Sequence, residues 1–460
     1  MRTPAAVVFD SVAVTDRAVR LHYRWKNRRY TYRIEIRGRG LRPPDPALAF
    51  RVGLAFAPYL SGFLSPNRLV VRAGALTPEE VRIWERWYTL GLAEKCYRHG
   101  LPVGTRVRCA SDRVFARRKS RATRHSLLMN GGGKDSAVAA ELLKRAGLRF
   151  RWLGLNESRA QRGVRAASGV SGVVTVEDGW ETDLPVSDFR FFGTAPILLY
   201  LDFVGLLVAE MSGSQYLVVG NEKSADFGNL TYRGVEVNHQ YTKSHAFETE
   251  FARYAREHLG SRVEFYSVLR PLYELQIAAA FARLPQYHRH FVSCNMGQAG
   301  DGGEWCGRCS KCAFTFLALY PFLDERALVE ILGRNVLEDR ELLPTFLAVA
   351  GLLGHKPFEC VGVPQEALAA VFLSRKGAAA PLVLRELRKR VPAARLREAA
   401  QMVMANYDRR NLIPEKLQAP LEAAWLDLRE LRRRRASPRG DAAAPRRTGP
   451  RPGSRRAPRR

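Results

Sequence analysis

The sequence predicts an α/β fold: a doubly wound parallel sheet with an α+β region before it and a helical region after it. Three observations carry that prediction. From Ser126 onward, strand-like and helix-like segments alternate, which implies a parallel sheet covered on both faces. A glycine-rich loop, Asn130-Gly131-Gly132-Gly133-Lys134-Asp135-Ser136, joins an apolar strand to a helix. A second unit follows, with a helix from Ala195 to Met211, a strand from Tyr216 to Val219 and the polar loop Gly220 to Ala225.

Taken in order, Tyr30, Tyr32, Ile34 and Ile36 alternate with Thr31, Arg33 and Glu35, the period of a half-buried strand. Thr77-Pro78-Glu79-Glu80 supplies a capping threonine, a proline at the first helical position and a glutamate at the third. A helix is predicted from there through Trp84, Trp87 and Leu92, ending at His99-Gly100, where glycine can adopt the left-handed cap. Ser126 to Met129 reads as a strand, Ala137 to Ala146 as a helix and Phe150 to Leu155 as the next strand. Beyond Asp324 the pattern is helical, over Leu328–Leu332, Gln365–Leu373, Pro381–Arg390 and Ala393–Met404. The expected organisation is an α+β region over residues 1–115, a nucleotide-binding domain over 116–325, helices over 326–431 and a disordered Arg-rich tail over 432–460.

The 460 residues are 46% apolar, enough to fill a core, which excludes fibrous and wholly disordered classes. The formal charge is +29, from 74 Lys+Arg against 45 Asp+Glu. Twelve arginines and one aspartate between Arg432 and Arg460 account for +11 of it, so the rest of the chain keeps +18. Arginine outnumbers lysine along the whole chain, a compositional habit rather than a patch, and nucleic acid is disfavoured as a partner. Met1 to Arg17 lacks the apolar stretch of an export signal, and Ala195 to Met211 contains Asp202 and Glu210 and is too short to span a bilayer. The expected location is the cytoplasm, where clustered cysteines serve as metal ligands or catalysts more often than as disulfides.

Three consecutive glycines between a strand and a helix let backbone approach an anion and aim N–H groups of the helix N-terminus at it. The ordinary P-loop and the dinucleotide fingerprint both have different spacing. Gly131 to Ser136 instead resembles the SGGxDS loop of the PP-loop ATP pyrophosphatases, with Gly131 in place of the leading serine. That resemblance implies the adenine nucleotide alpha hydrolase-like fold and ATP as ligand. Ser136 would then donate to pyrophosphate, Asp135 would sit near magnesium or the first helical turn, and Lys134 could compensate for the missing hydroxyl. A simple connecting turn is the plainer reading of the same residues.

Cys294, Cys306, Cys309 and Cys312 can enclose one tetrahedral metal: two-residue gaps aim successive thiolates inward and Gly307 relaxes the first turn. Structural zinc suits that set. An iron–sulfur cluster uses the same ligands at similar gaps, so spacing leaves both metals, and unliganded thiols, open. Cys96, Cys109 and Cys360 read as core or surface thiols.

Among PP-loop proteins, the nitrile synthase of queuosine formation carries a similar C-x-x-C-x-x-C ending and binds zinc there. Three stretches resemble another branch more closely, the UDP-N-acetylmuramoyl-L-alanyl-L-glutamate epimerases of peptidoglycan synthesis. They are Gly91 to Glu94 with Tyr97 to Leu101; Gly220 to Ala225 with Val237 to Ser244; and Ser293 to Asn295 with Trp305 to Cys312 and Phe314 to Phe322. The resemblance implies an enzyme that uses ATP and magnesium to invert the terminal glutamate of UDP-MurNAc-L-Ala-L-Glu, releasing AMP and pyrophosphate. Adenylating the α-carboxylate removes its charge, so the neighbouring C–H can ionise to an enolate. His239, Lys243, Glu222 and His245 are the candidate proton-transfer groups, because they lie on polar segments after a strand. Lys223 and Arg308 are candidates for the substrate's diphosphate or carboxylate. Asn156 with Glu157, Gly193 with Thr194, and Gly220 with Asn221 are expected near the nucleotide. Competing expectations are a queuosine-type or tRNA-modifying adenylating enzyme, and a zinc-stabilised protein that binds nucleic acid through its tail.

Overall fold

The computed structural model describes residues 6–64, 68–117, 123–182, 196–297, 303–374 and 380–435. Among the described residues ten strands form one sheet: β1 (Val7–Val14), β2 (Ala18–Trp25), β3 (Arg28–Arg37), β4 (Arg68–Val71), β5 (Arg106–Cys109), β6 (Thr123–Met129), β7 (Phe150–Leu155), β8 (Val173–Trp180), β9 (Ser214–Val219) and, beyond a small hairpin, β12 (Glu264–Ser267). The hairpin consists of β10 (Leu230–Tyr232) and β11 (Val235–Val237). The order is β12-β9-β6-β7-β8-β3-β2-β1-β4-β5.

From β12 to β8 every neighbouring pair is parallel, as the alternation of strands and helices predicted. The N-terminal strands then extend the same sheet. β3 lies antiparallel on β8, pairing Tyr32 with Trp180 and Ile36 with Val176, and β1, β2 and β3 form an antiparallel meander. The sheet is therefore mixed, and the N-terminal strands are continuous with the parallel half. Tyr30, Tyr32, Ile34 and Ile36 are all buried.

Successive residues of the parallel strands enter opposite cores, which is why these strands are apolar runs rather than alternating ones. Leu128, Trp152, Val218 and Tyr266 face one layer, which includes the Lys134–Arg145, Arg159–Ser168 and Glu274–Phe281 helices and the C-terminal helices. Leu127, Leu153, Leu217 and Phe265 face the other, which includes the Pro46–Leu64, Pro78–Gly91, Ile197–Ser212 and His245–Glu257 helices. Each such side chain contributes about 1.5–3 kcal/mol by leaving water.

The predicted helices at 328–332, 365–373, 381–390 and 393–404 correspond to Glu325–Leu332, Pro364–Leu373, Leu382–Arg390 and Ala393–Ala405. The capping box at Thr77 is formed, with both reciprocal bonds to Glu80 at 3.1 Å. The helix it starts is shorter than predicted. It ends at Gly91, and a second helix, Ala93–Arg98, follows before Gly100 turns left-handed at φ +64°. Gly91 is a weak helix former packed against Pro196, whose ring would lie 2.9 Å from a Cβ there. Glu415–Arg435 forms a final helix that includes the first four residues of the predicted tail; residues 436–460 lie outside the described residues. No described helix is long and apolar enough to cross a membrane.

Candidate functional site

Within the parallel half, the chain proceeds from β6 outward to β7 and β8, then returns across the opposite face through the Ile197–Ser212 helix to β9 and β12. The order reverses between β6 and β9, and at such a switch point the loops after two adjacent strands part to leave a ligand crevice. Those loops are the two that the sequence singled out, Gly131–Ser136 after β6 and Gly220–Ala225 after β9. They meet: a Cβ on Gly220 would lie 3.6 Å from Asp135.

The glycine loop is held from two sides. Asn130 Nδ2 donates to the Gln161 carbonyl at 2.9 Å, and Gln161 Nε2 donates to the Asn130 carbonyl at 2.6 Å. Val292 N–H donates to the Gly132 carbonyl at 3.0 Å. Gly132 is left-handed at φ +71° with Gln161 N 3.0 Å from a prospective Cβ, and one on Gly133 would meet Ser293 Oγ at 2.7 Å. Glycine is required at both by backbone angle or by space. Gly131 N–H donates to Ser136 Oγ at 2.8 Å, so that hydroxyl retains its own proton for a ligand. Gly133 is the N-cap of the Lys134–Arg145 helix, and no side chain caps it. The first-turn N–H groups are thus left without a side-chain cap and available to an anion. Ser293 Oγ, buried beside Gly133, has no hydrogen-bond partner among the described residues.

Lys134 does not reach into solvent. It is fully buried, with Nζ 2.7 Å from Asp135 Oδ1 and 2.9 Å from Glu274 Oε1. Lys311 Nζ reaches the same Glu274 oxygen at 3.0 Å and also donates to the Cys360 carbonyl. Burial opposes the charge of all three, yet Asp135 and Glu274 raise Lys134, Glu274 raises Lys311, and the two lysines hold Glu274 down at about 2. Lys243 joins this field. Burial works against its ammonium, but Cys360, Glu222 and Asp135 outweigh that and raise it. Glu222 is 2% exposed, and its Oε2 has no hydrogen-bond partner among the described residues.

His239 Nδ1 lies 2.6 Å from Glu94 Oε2, and the other Glu94 oxygen accepts from Arg98 at 2.6 Å. Burial opposes its imidazolium, but Cys360 and Glu94 outweigh that and raise His239 to about 10. His245 begins the His245–Glu257 helix; its N–H donates to Asp226 Oδ1, and its buried Nδ1 has no partner among the described residues. Asn221 donates to Glu248 at 3.0 Å. Asn156, exposed at the end of β7 with φ +42°, is bonded to Asp178, and Glu157 is paired with Arg165. Lys223 is paired with Asp408, and Arg308 is exposed. Gly193 and Thr194 lie outside the described residues.

The four cysteines converge. Their sulfurs all lie within 4.8 Å of one another, with Cys294–Cys309 at 3.7 Å, Cys306–Cys312 at 3.6 Å and Cys309–Cys312 at 3.5 Å. A tetrahedral zinc with bonds of about 2.3 Å separates its sulfurs by about 3.8 Å, so the set fits a single ion. Gly307 is left-handed at φ +67°, the relaxed turn its position implied. N–H groups of Gly297 and Cys312 donate to the sulfurs of Cys294 and Cys309. Two side chains at the crevice lie beside the cluster in the chain: Ser293 precedes Cys294, and Lys311 stands between Cys309 and Cys312.

Sequence reasoning missed Glu94, Arg270, Glu274, Lys311 and Cys360. Arg270, 1% exposed, joins the two polar loops by donating to the Glu222 and Lys243 carbonyls while pairing with Glu248 and Asp226. The available signal was charged residues inside apolar surroundings: Arg270 follows Val268-Leu269, and Lys311 lies within the cysteine motif.

Comparison with known proteins accords with this geometry. Family models described as the MurL N-terminal domain and the MurL C-terminal domain match residues 14–268 and 290–402. A protein of Xanthomonas oryzae named UDP-N-acetyl-alpha-D-muramoyl-L-alanyl-L-glutamate epimerase is 33% identical over 331 residues, 69% of this chain and 72% of its own length. Proteins of the same name from Salinispora tropica and a Micromonospora species are 35% and 34% identical over 316 residues, 67% of this chain and 69% and 70% of theirs. The chain belongs to the MurL epimerase family, and is by that membership an isomerase.

Proposed function

We propose that this enzyme is a cytoplasmic PP-loop protein that inverts the terminal glutamate of UDP-MurNAc-L-Ala-L-Glu in peptidoglycan precursor synthesis, with ATP consumed to activate the α-carboxylate. The observation that carries the reading is the uncapped, glycine-lined helix N-terminus at the switch point, an anion site beside buried cationic and acidic side chains. The relatives' shared name supports the substrate.

ATP's phosphates would lie against the first-turn N–H groups and Ser136, with the unpartnered Ser293 hydroxyl supplying the contact that Gly131 lacks. Magnesium would neutralise phosphate charge, and Asp135 is the carboxylate closest to that position in the loop. Attack by the glutamate α-carboxylate on the α-phosphorus releases pyrophosphate and leaves a neutral acyl group, whose α-hydrogen is far more acidic than that of a carboxylate. Ammonium groups there, the half-buried Lys243 foremost, would favour negative charge developing on the acyl oxygen. His239, Lys243, Glu222 and His245 are the proposed proton-transfer candidates, and hydrolysis releases AMP. Cys294, Cys306, Cys309 and Cys312 would hold zinc, which ties the Ser293 and Lys311 segments together. The close packing of four sulfurs favours one ion over an iron–sulfur cluster, which spreads its thiolates over several irons.

The test is incubation with magnesium ATP and UDP-MurNAc-L-Ala-L-Glu in deuterated water. Deuterium at the glutamate α-carbon, D-glutamate and AMP are expected together. ATP binding with neither label nor AMP would overturn the reading.

A further inference from the structure

Resting on that reading, we propose that a cavity lined by Arg68, Arg82, Arg86 and Arg106 binds the nucleoside diphosphate end of the sugar-nucleotide substrate. The cavity has a volume of about 710 Å³, inside the range of about 300–1,000 Å³ usual for small-molecule sites. Its guanidinium groups come from three elements: Arg68 from β4, Arg106 from β5, and Arg82 with Arg86 from the Pro78–Gly91 helix. Among the described lining residues Glu85 is the one carboxylate, and its Oε1 already accepts from the Val107 N–H at 3.0 Å. Lys223, a candidate for the diphosphate by sequence, is instead paired with Asp408.

Like charge is set beside like charge twice over. Arg68 and Arg106 occupy paired positions of the parallel β4–β5 ladder, so they stand side by side on one face of the sheet. Arg82 and Arg86 are four residues apart in their helix and share one of its faces, an arrangement that disfavours the helix when both are charged. Arg86 pairs with Glu250 at 3.0 Å, and Arg106 comes only within 3.7 Å of Glu85. Arg68 and Arg82 have no ion pair or hydrogen bond among the described residues. A diphosphate offers such forks bidentate partners and cancels the repulsion between them. A compositional habit multiplies arginines everywhere, but it does not gather four of them around one concavity with a single carboxylate.

The remaining walls suit the rest of a nucleoside diphosphate. Leu90, Val103 and Val235 supply apolar surface for the face of a base or sugar, and Thr89 Oγ1 accepts from the Thr105 N–H at 3.2 Å, which leaves its own proton for a ligand. The Trp87 indole N–H donates to Glu250 Oε2 at 2.8 Å and so fixes the helix that carries Arg82 and Arg86. Two wall segments lead on to the Glu94–His239 pair. Leu90 precedes Glu94 by four residues, and Val235 precedes His239 by four. At 1.5 Å per helical residue and 3.3 Å per strand residue these are steps of about 6 and about 13 Å. The substrate has a comparable span, because its dipeptide extends about 7 Å and the muramyl ring separates that from the diphosphate. One extended molecule can therefore place its diphosphate in the cavity and its glutamate near His239.

Two full-length proteins test this: one carries Arg68→Gln with Arg82→Gln, and a charge-matched control carries Arg395→Gln with Arg397→Gln, exposed on the Ala393–Ala405 helix. Thermal midpoints serve as the folding control. Calorimetric titration with UDP needs no turnover, and binding at least about tenfold weaker in the first protein but within about twofold in the control is expected. No UDP binding by the unsubstituted chain, or equal affinity in all three proteins, overturns the proposal. So does pyrophosphate bound as tightly as UDP, which would mark a site for free diphosphate, or a single-stranded RNA bound more tightly than UDP through the same arginines. In epimerisation the KM for the sugar nucleotide should rise at least about tenfold in the first protein with kcat within about twofold, because the diphosphate contacts are alike in ground and transition states. An unchanged KM overturns the assignment to the substrate. If the unsubstituted chain binds UDP through these arginines yet does not epimerise the sugar nucleotide, the epimerase reading falls and the cavity remains a nucleoside diphosphate site.

Discussion

Lys311 Nζ and Glu274 Oε1 lie 3.0 Å apart, and through that one oxygen the cysteine cluster is tied to the glycine loop, because Lys134 shares it at 2.9 Å. Two ammonium groups on a carboxylate that is 1% exposed form a buried triad: without the acid Lys134 keeps only Asp135, and Lys311 keeps no carboxylate partner among the described residues.

Glu274→Gln should therefore cost about 3–5 kcal/mol in chemical denaturation, the range for breaking a buried ion pair from one side. The pH dependence follows the same residue. Its carboxyl, held at about 2 against burial by Lys134 and Lys311, is depressed from the ordinary 4.5, so its contribution is complete above about pH 4.5 and lost as pH falls towards 2. The substituted protein should lack that part of the acid transition; an unchanged acid limb would show that the triad is not coupled to folding.

Gly132→Ala places a Cβ 3.0 Å from Gln161 N at a left-handed backbone angle, a strain of about 1–2 kcal/mol. ATP affinity should fall at least about tenfold, while Gly147→Ala, also left-handed but with open space at the Cβ and far from the switch point, should cost only stability. Nucleotide titrations of the two proteins compare them directly.

One equivalent of zinc per chain should be released on denaturation, with little iron. Cys306→Ser, which removes one of the four converging sulfurs, should lower both zinc content and thermal midpoint. Iron in place of zinc would reassign the cluster.

Arg270→Lys retains charge but cannot reach Glu248, Asp226 and two carbonyls together. Turnover should fall at least about tenfold as the Glu222 and Lys243 loops lose their common anchor. A change in thermal midpoint with unaltered turnover would restrict Arg270 to stability.

Removing residues 436–460 deletes eight arginines and one aspartate. Turnover on the sugar nucleotide should stay within about twofold. A large loss would revive nucleic acid as a partner.

What could be read directly from the sequence was local. The capping box at Thr77, the left-handed turn at Gly307, the strand–glycine–helix passage around Gly132 and the two-residue cysteine gaps each depend on a few adjacent residues, so the chain itself supplies their geometry. The N-terminal strand at 30–36 was legible from its period, but not its place on β8, since pairing between strands about 140 residues apart depends on the whole sheet. The Glu94–His239 pair showed the same limit more strongly. Glu94 looked like an ordinary helical acid until folding brought it to His239. By itself the sequence determined which backbone could cradle an anion and which sulfurs could share a metal. Only the tertiary structure decided which buried charges meet there, because burial and opposed charge, which set protonation and reactivity, arise between residues that the chain order keeps far apart.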